Sequence, residues 1–232
     1  MRLDKYISGA SGLSRKEAGA AIRRGRVCVD EVKSTNPAAQ VSDKASVTLD
    51  GAPVIYREFF YIMLNKPQGY VSSTDDPGAP TVIELLPPEL AAKGLFPCGR
   101  LDRYTTGLMI LTNDGDASHR ALSPKSHVEK VYAFTCRDPL SRTEELESGV
   151  HIAGGYLTKP CRLEPTGERS GLITLREGKY HQIKQMLEAV GNKIVTLERV
   201  SFAGIPLDPG LAPGEWRELT PGEEALFTKK QR

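Results

Sequence analysis

From Gly99 to Leu108 the sequence reads GRLDRYTTGL. It contains one carboxylate, Asp102, with Arg100 two residues before it and Arg103 one after. The apolar run Leu108-Met109-Ile110-Leu111-Thr112 that follows predicts a buried strand, and Gly99 supplies backbone freedom just before the loop. A carboxylate held beside a strand by flanking cations stays ionised and oriented, which is what a nucleophile or general base requires. An ordinary Asp–Arg ion pair closing a turn has the same composition, and on this stretch alone that plainer reading is favoured; the rest of the chain changes the balance. Metal chemistry has no support. Cys28, Cys98, Cys136 and Cys161 form no CxxC pair, and the four histidines form no HExxH or zinc-finger spacing. The cysteines read as reduced, buried small hydrophobes.

The elements that must position Asp102 follow from periodicity and turn signals. Phe60-Tyr61-Ile62-Met63-Leu64 predicts a buried strand running into Asn65-Lys66-Pro67-Gln68-Gly69. There Pro67 and Gly69 force a turn, and Lys66 is expected to face the bordering cleft. Ser72–Pro80 is expected to be polar and mobile. A short helix over Thr81–Leu86 should end at Pro87-Pro88. A helix is predicted over Ala117–Leu122, a basic loop over Ser123–His127, and a strand over Glu129–Phe134. A polar helix over Ser141–Ser148 precedes strands at Cys161–Glu164 and Leu172–Leu175. Glu177–Met186 turns into a helix that ends at Gly191-Asn192. A long strand spans Ile194–Phe202, Ala212–Arg217 reads as a turn, and the last helix runs from Thr220 to about Phe227 before a frayed tail, Lys229–Arg232. Strands with irregularly interspersed helices predict an α+β fold with a mostly antiparallel sheet.

The first 48 residues read as a separate small unit. Leu3, Tyr6 and Ile7 have helical spacing. Ser14-Arg15-Lys16-Glu17 is a capping box opening a helix through Ala18, Ala21 and Ile22 that stops at Gly25. Val27–Val29, turned by Asp30-Glu31, and Val47–Leu49 predict short strands, and residues 50–59 read as a linker. The 232-residue chain carries a net charge of only +2, but residues 1–26 hold seven Lys/Arg against Asp4 and Glu17, a local +5 that leaves −3 for the remainder. A compact basic segment on a balanced chain points to a polyanion partner, although a solvated helix face has the same composition. The chain lacks a transmembrane-length apolar run and a signal-peptide pattern, so a soluble cytoplasmic protein is expected.

The stretch from Ser14 to Val29, SRxxAxxxIxxGxVxV, resembles the S4 RNA-binding domain. LNKPQGYV (Leu64–Val71), GRLDxxTTGL (Gly99–Leu108), EKxY (Glu129–Tyr132) and EGxYHQxKxM (Glu177–Met186) occur in order. Together they resemble the pseudouridine synthases, in the branch named for the small-subunit ribosomal RNA enzyme RsuA. Four motifs in sequence are a strong signal where one would be weak. The resemblance implies an S4-like α/β RNA-binding domain over residues 1–56. It also implies a pseudouridine synthase domain over 57–232, with a mostly antiparallel sheet and a central cleft.

The resemblance assigns roles residue by residue. Asp102 acts on the flipped-out nucleotide, Tyr132 packs against its ring, and Lys184 pairs with the aspartate. Beyond those three matched residues, Arg100 and Arg103 are candidates to hold phosphates or fill the vacated base position. Lys66, Lys125, Lys179 and His181 are candidates for a phosphate groove, with plain surface as the equal alternative for each, and the S4 resemblance lays the basic helix, with Arg15, Arg23 and Arg24, along RNA phosphates. Tyr104 departs from the acidic or small polar residue usual in the branch. Isomerisation breaks the N1–C1′ bond of uridine and joins C5 to C1′, so every atom needed is already in the substrate and no cofactor or metal is expected. The implied function is conversion of a specific uridine in small-subunit (16S) ribosomal RNA to pseudouridine by a monomer. The QGYVSSTDDP stretch favours the small subunit over the alternative, large-subunit RNA. A non-catalytic rRNA-binding assembly factor is the rival from another class. A glycoside or nucleoside hydrolase lacks a second matched carboxylate.

Overall fold

The computed structural model describes residues 1–42, 44–123 and 126–229. Lys125 and the last three residues of the expected tail lie outside them. The chain divides into two compact units, Met1–Phe59 and Phe60–Arg232.

In the first unit, helix α1 (Leu3–Ser11) ends on Gly12 at φ 72°, and α2 (Arg15–Arg23) starts from the predicted capping box of Ser14 and Glu17. Leu3, Tyr6 and Ile7 of α1 and Ala18 and Ile22 of α2 pack on Val27, Val41 and Val47. The sheet under them has four strands: β1 (Val27–Val29), β2 (Val32–Ser34), β3 (Val47–Leu49) and β4 (Ala52–Pro53), in the order β2-β1-β3-β4. Sequence reading finds only β1 and β3. Strands β2 and β4 are exposed edges without alternation, made by two-residue turns with positive φ, Asp30-Glu31 (48° and 67°) and Asp50-Gly51 (53° and 81°). The expected linker therefore begins inside the sheet. Pro53 is tolerated there because an edge strand has no ladder bond to lose.

The second unit is built on a nine-stranded sheet. Its elements in chain order are β5 (Tyr61–Lys66), α3 (Pro88–Ala91), β6 (Phe96–Pro97), β7 (Thr106–Thr112), α4 (Gly115–Leu122), β8 (Lys130–Cys136) and α5 (Thr143–Ser148). A two-stranded hairpin follows, β9 (His151–Ile152) with β10 (Tyr156–Leu157), then β11 (Arg162–Gly167), β12 (Ser170–Leu175), α6 (Gln182–Ala189), β13 (Ile194–Phe202), β14 (Ile205–Pro206), β15 (Trp216–Glu218) and α7 (Pro221–Thr228). The strand path is β11-β12-β8-β13-β7-β5-β15, with β14 on β13 and β6 on β7. Every pairing is antiparallel except β13 with β7. The fold is α+β with a mostly antiparallel sheet, as expected.

The structure corrects two expectations. The short helix expected over Thr81–Leu86 is a 3₁₀ turn, Val82–Leu85, that stops before Pro87-Pro88 as expected, but Pro88 then opens a further helix, α3, because its fixed φ and missing N–H suit a first helical position. Trp216–Glu218 is not turn but strand, paired with Leu64, Met63 and Ile62 of β5.

Strands β5 and β7 read as unbroken apolar runs because both faces are covered. Tyr61, Met63, Leu108 and Ile110 join one core with Ala117, Ala121, Phe202 and Phe227. Ile62, Leu64, Met109 and Leu111 join the opposite one with Val82, Leu95 and Leu101. Side chains alternate across a strand, so only apolar residues fit at every position. A third core packs α5 and α6 against β8, β11, β12 and β13.

Candidate active site

Asp102 lies in the loop between β6 and β7, and backbone contacts hold that loop from three sides. Leu101 is buried in the core beside it. The Leu101 N–H donates to Ser72 Oγ at 2.9 Å, and that hydroxyl donates back to the Leu101 carbonyl at 2.8 Å. Ser72, the first residue of the polar Ser72–Pro80 segment, thus clamps the loop. The Gly69 N–H donates to the Arg103 carbonyl at 2.8 Å, and the Thr105 N–H to the Asp102 carbonyl at 3.0 Å.

Lys66 completes the loop from beneath and corrects another expectation. It is fully buried rather than facing a phosphate groove. Its Nζ donates to the carbonyls of Pro67 (3.0 Å), Arg103 (3.3 Å) and Thr105 (2.9 Å), tying the NKPQG turn to the Asp102 loop. Burial pulls its ammonium down to about 8, with Asp102 opposing the shift and Arg199 adding to it.

The partner of the Asp102 carboxylate comes from α6, not from its flanking arginines. Lys184 Nζ donates to Asp102 Oδ2 at 2.6 Å, and His181 Nε2 stands 3.5 Å from Oδ1. About a third or less of the Asp102 and Lys184 side chains is exposed. Both side chains come from the start of the helix: His181 is its N-cap, in left-handed backbone conformation at φ 50°, and Lys184 is in the first turn. Arg100 is exposed on the cleft wall. Arg103 turns away, its Nε donating to the Gly69 carbonyl at 3.1 Å.

These groups open onto a cleft of about 470 Å³ whose lining includes Asp102, Tyr132, Lys184, His181 and Arg199. Half-buried Tyr132, on β8, pairs in register with Arg199 on β13, so the two share a face of the sheet. Lys179 also lines the cleft, its Nζ lying 4.2 Å from the Tyr156 ring centroid.

Sequence reading missed two cations on the cleft wall, Lys130 and Arg199. Arg199 is 1% exposed; its Nε donates to the Leu108 carbonyl at 2.7 Å, and its guanidinium lies 5.0 Å from the Phe202 ring. Burial, and secondly Arg199, lower the Lys130 ammonium. Lys130 stands two residues before Tyr132 on one strand, a same-face spacing that is visible in sequence. Arg199 carries no such sign.

Glu177, another lining residue, accepts from Tyr156 Oη (2.7 Å), the Lys159 N–H (3.0 Å) and Gln182 Nε2 (2.7 Å). It thereby fixes the turn that launches α6. Among the described residues no group of three or more His, Cys, Asp or Glu side chains could hold a metal ion. The arrangement is one oriented carboxylate beside an aromatic ring and several cations. It suits attack or proton removal on a planar, anionic-backbone substrate.

Arg15, Arg23 and Arg24 are all exposed in the first unit. Arg23 and Arg24 end α2, whereas Arg15 Nη2 is 3.1 Å from Asp4 Oδ1.

The RNA pseudouridylate synthase family model matches residues 60–189, and the S4 domain model matches residues 1–47. The uncharacterized RNA pseudouridine synthase YtzG of Bacillus subtilis (strain 168) is 47% identical, with all of both chains covered. Ribosomal small subunit pseudouridine synthase A of Escherichia coli (strain K12) is 46% identical, covering 97% of this chain and 99% of that one. A crystal structure of a pseudouridylate synthase superposes with a TM-score of 0.70 at 39% identity, covering 98% of this chain and 99% of the other.

Proposed function

The chain belongs to the RNA pseudouridylate synthase family, and from that premise we propose that it isomerises a specific uridine of small-subunit ribosomal RNA, with Asp102 acting on the flipped-out nucleotide. Enzyme class and RNA binding come with the family and with the S4 domain. The ribosomal target rests on the small-subunit relative, 46% identical over nearly its whole length.

The observation that carries the site assignment is the Asp102–Lys184 contact of 2.6 Å on the wall that also holds Tyr132. Lys184 holds the carboxylate in place, and Tyr132 offers a ring face for a base taken out of its stack. Arg100 and His181, at the same wall, meet the RNA backbone around the target. The reaction breaks N1–C1′ and forms C5–C1′; the C5 hydrogen leaves to water and N1 takes up a proton, so nothing outside the substrate and solvent is consumed. Residues 1–56, with Arg15, Arg23 and Arg24, serve as the RNA-binding domain beside a catalytic domain from residue 57. Asp102, Tyr132 and Lys184 come from a single chain, which supports a monomer. Ribosomal RNA as substrate implies a cytoplasmic location.

Tritium release from small-subunit rRNA labelled at uridine C5 reads the reaction itself. Wild type releases tritium and Asp102→Asn, which keeps the shape and loses the charge, does not. An Asp102→Asn protein with a tenth or more of wild-type turnover overturns the assignment, and large-subunit RNA labelled in the same way tests the target.

A further inference from the structure

The cleft carries an aromatic ring, Tyr180, that has no part in the isomerisation described above. Tyr180 and His181, in the turn before α6, stack ring on ring with centroids 3.8 Å apart and planes 19° apart. Both line the cleft that holds Asp102. His181 covers one face of the Tyr180 ring, yet Tyr180 remains 75% exposed. We propose that Tyr180, backed by His181, is a stacking platform for a nucleobase adjacent to the flipped uridine. This inference rests on the RNA-isomerase reading and adds a second base-binding position to it.

Three features carry the inference. The ring pair is held by a fixed turn: the Lys179 N–H donates to Gln182 Oε1 at 2.9 Å, the Gln182 N–H to the Lys179 carbonyl at 3.2 Å, and Gln185 Nε2 donates to the Tyr180 carbonyl. A ring presented in this way loses little freedom on binding. His181 adopts left-handed backbone angles (φ 50°, ψ 31°) without capping the helix through its side chain. That conformation is uncommon for a residue with a side chain. Here it lays the imidazole against Tyr180 and beside Asp102. Finally, the lining around the pair is cationic, with Lys179, Lys184 and Arg100. An open ring face among cations fits a planar group on an anionic polymer, because every base has a π-face and splayed RNA bases stack on aromatic side chains. The target uracil itself goes deeper, to half-buried Tyr132, which leaves the exposed ring at the mouth for its neighbour.

The test is KM and kcat for tritium release from C5-labelled small-subunit rRNA by full-length Tyr180→Phe, Tyr180→Trp and Tyr180→Leu, across a salt series. Stacking needs a flat ring and neither a hydroxyl nor a charge. Phe and Trp therefore hold KM near wild type, and Leu raises it about tenfold, within the range for loss of one base stack. The slope of log(kcat/KM) against log salt stays the same for Leu as for wild type, because the substitution leaves every phosphate interaction in place. Wild-type KM in the Leu variant, or an equal loss in Phe and Leu, overturns the platform while wild-type turnover keeps the isomerase reading intact. Absence of tritium release by wild type overturns that reading instead.

Discussion

Asp102 works only if its loop stays where Lys184 can reach it, and that depends on residues without chemistry of their own. Gly107 is the clearest case. It is the second residue of β7, at φ 96°, and a Cβ there would lie 2.4 Å from the Arg199 carbonyl oxygen of β13. Backbone cannot yield as a flexible side chain does, and the angle itself is strained for any L residue. Gly107→Ala is therefore expected to destabilise the fold by about 2 kcal/mol or more and to cut tritium release, because β7 carries the Asp102 loop; urea unfolding and the release assay check the two effects together. Lys66 has a pH signature. Its folded value of about 8 lies below the ordinary 10.5, so between those values the unfolded chain binds more protons. Its contribution to stability accordingly rises from about pH 8 to 10.5. In urea titrations across that window the stability of wild type should climb relative to Lys66→Met, and a constant difference between the two curves would contradict the buried ammonium.

Helix α6 is the element that turns a fold into a site, since it delivers both His181 and Lys184 to one carboxylate. Its start is set by Glu177, whose three acceptor contacts hold β10, the Lys159 segment and Gln182 together. Glu177→Leu leaves three donors without their acceptor. The expected outcome is a kcat lower by tenfold or more through a displaced Lys184, with RNA affinity nearly unchanged, measured by tritium release and filter binding. The motif around Glu177 is legible in the sequence because the turn, the helix and Lys184 lie within ten residues. Strands β5 and β7 are legible because burial on both faces leaves unbroken apolar runs. Strands β2, β4 and β15 are not, since two- or three-residue edge strands owe their existence to a partner rather than to their own pattern. Arg199 stays hidden for a related reason. A guanidinium reads as surface until the β13–β8 and β13–β7 registers bury it beside Tyr132, and those registers join residues far apart in the chain. Lys66 misleads in the same way, because two of its three carbonyl partners, on Arg103 and Thr105, become neighbours only when β5 pairs with β7.

Across the whole molecule the charge is divided, +5 on residues 1–26 and −3 on the rest, so salt dependence should follow the first unit. Its arginines are not equivalent. Arg23 and Arg24 are exposed at the end of α2, and replacing both with Ala should lower the slope of log affinity against log salt by about 1.5, at roughly 0.7–0.9 for each phosphate no longer neutralised. Arg15 is already engaged, because Asp4 accepts from both Arg2 and Arg15. Hydrogen bonding to Arg2, opposed by desolvation and helped by Arg15, holds the Asp4 carboxyl down at about 2, below its ordinary 3.8. A folded value below the unfolded one means that this ion pair stabilises the unit above pH 3.8 and gives way as pH falls through 2, so it is fully present wherever RNA binds. Asp4 therefore competes with phosphate for Arg15 at every working pH. Asp4→Asn should release that arginine: the salt slope of rRNA binding steepens by up to about one phosphate's worth while the stability of the unit falls. Filter binding across a salt series, beside thermal unfolding of the same protein, separates the two effects. An unchanged slope would mean that Arg15 serves the fold of the first unit and takes no part in holding RNA.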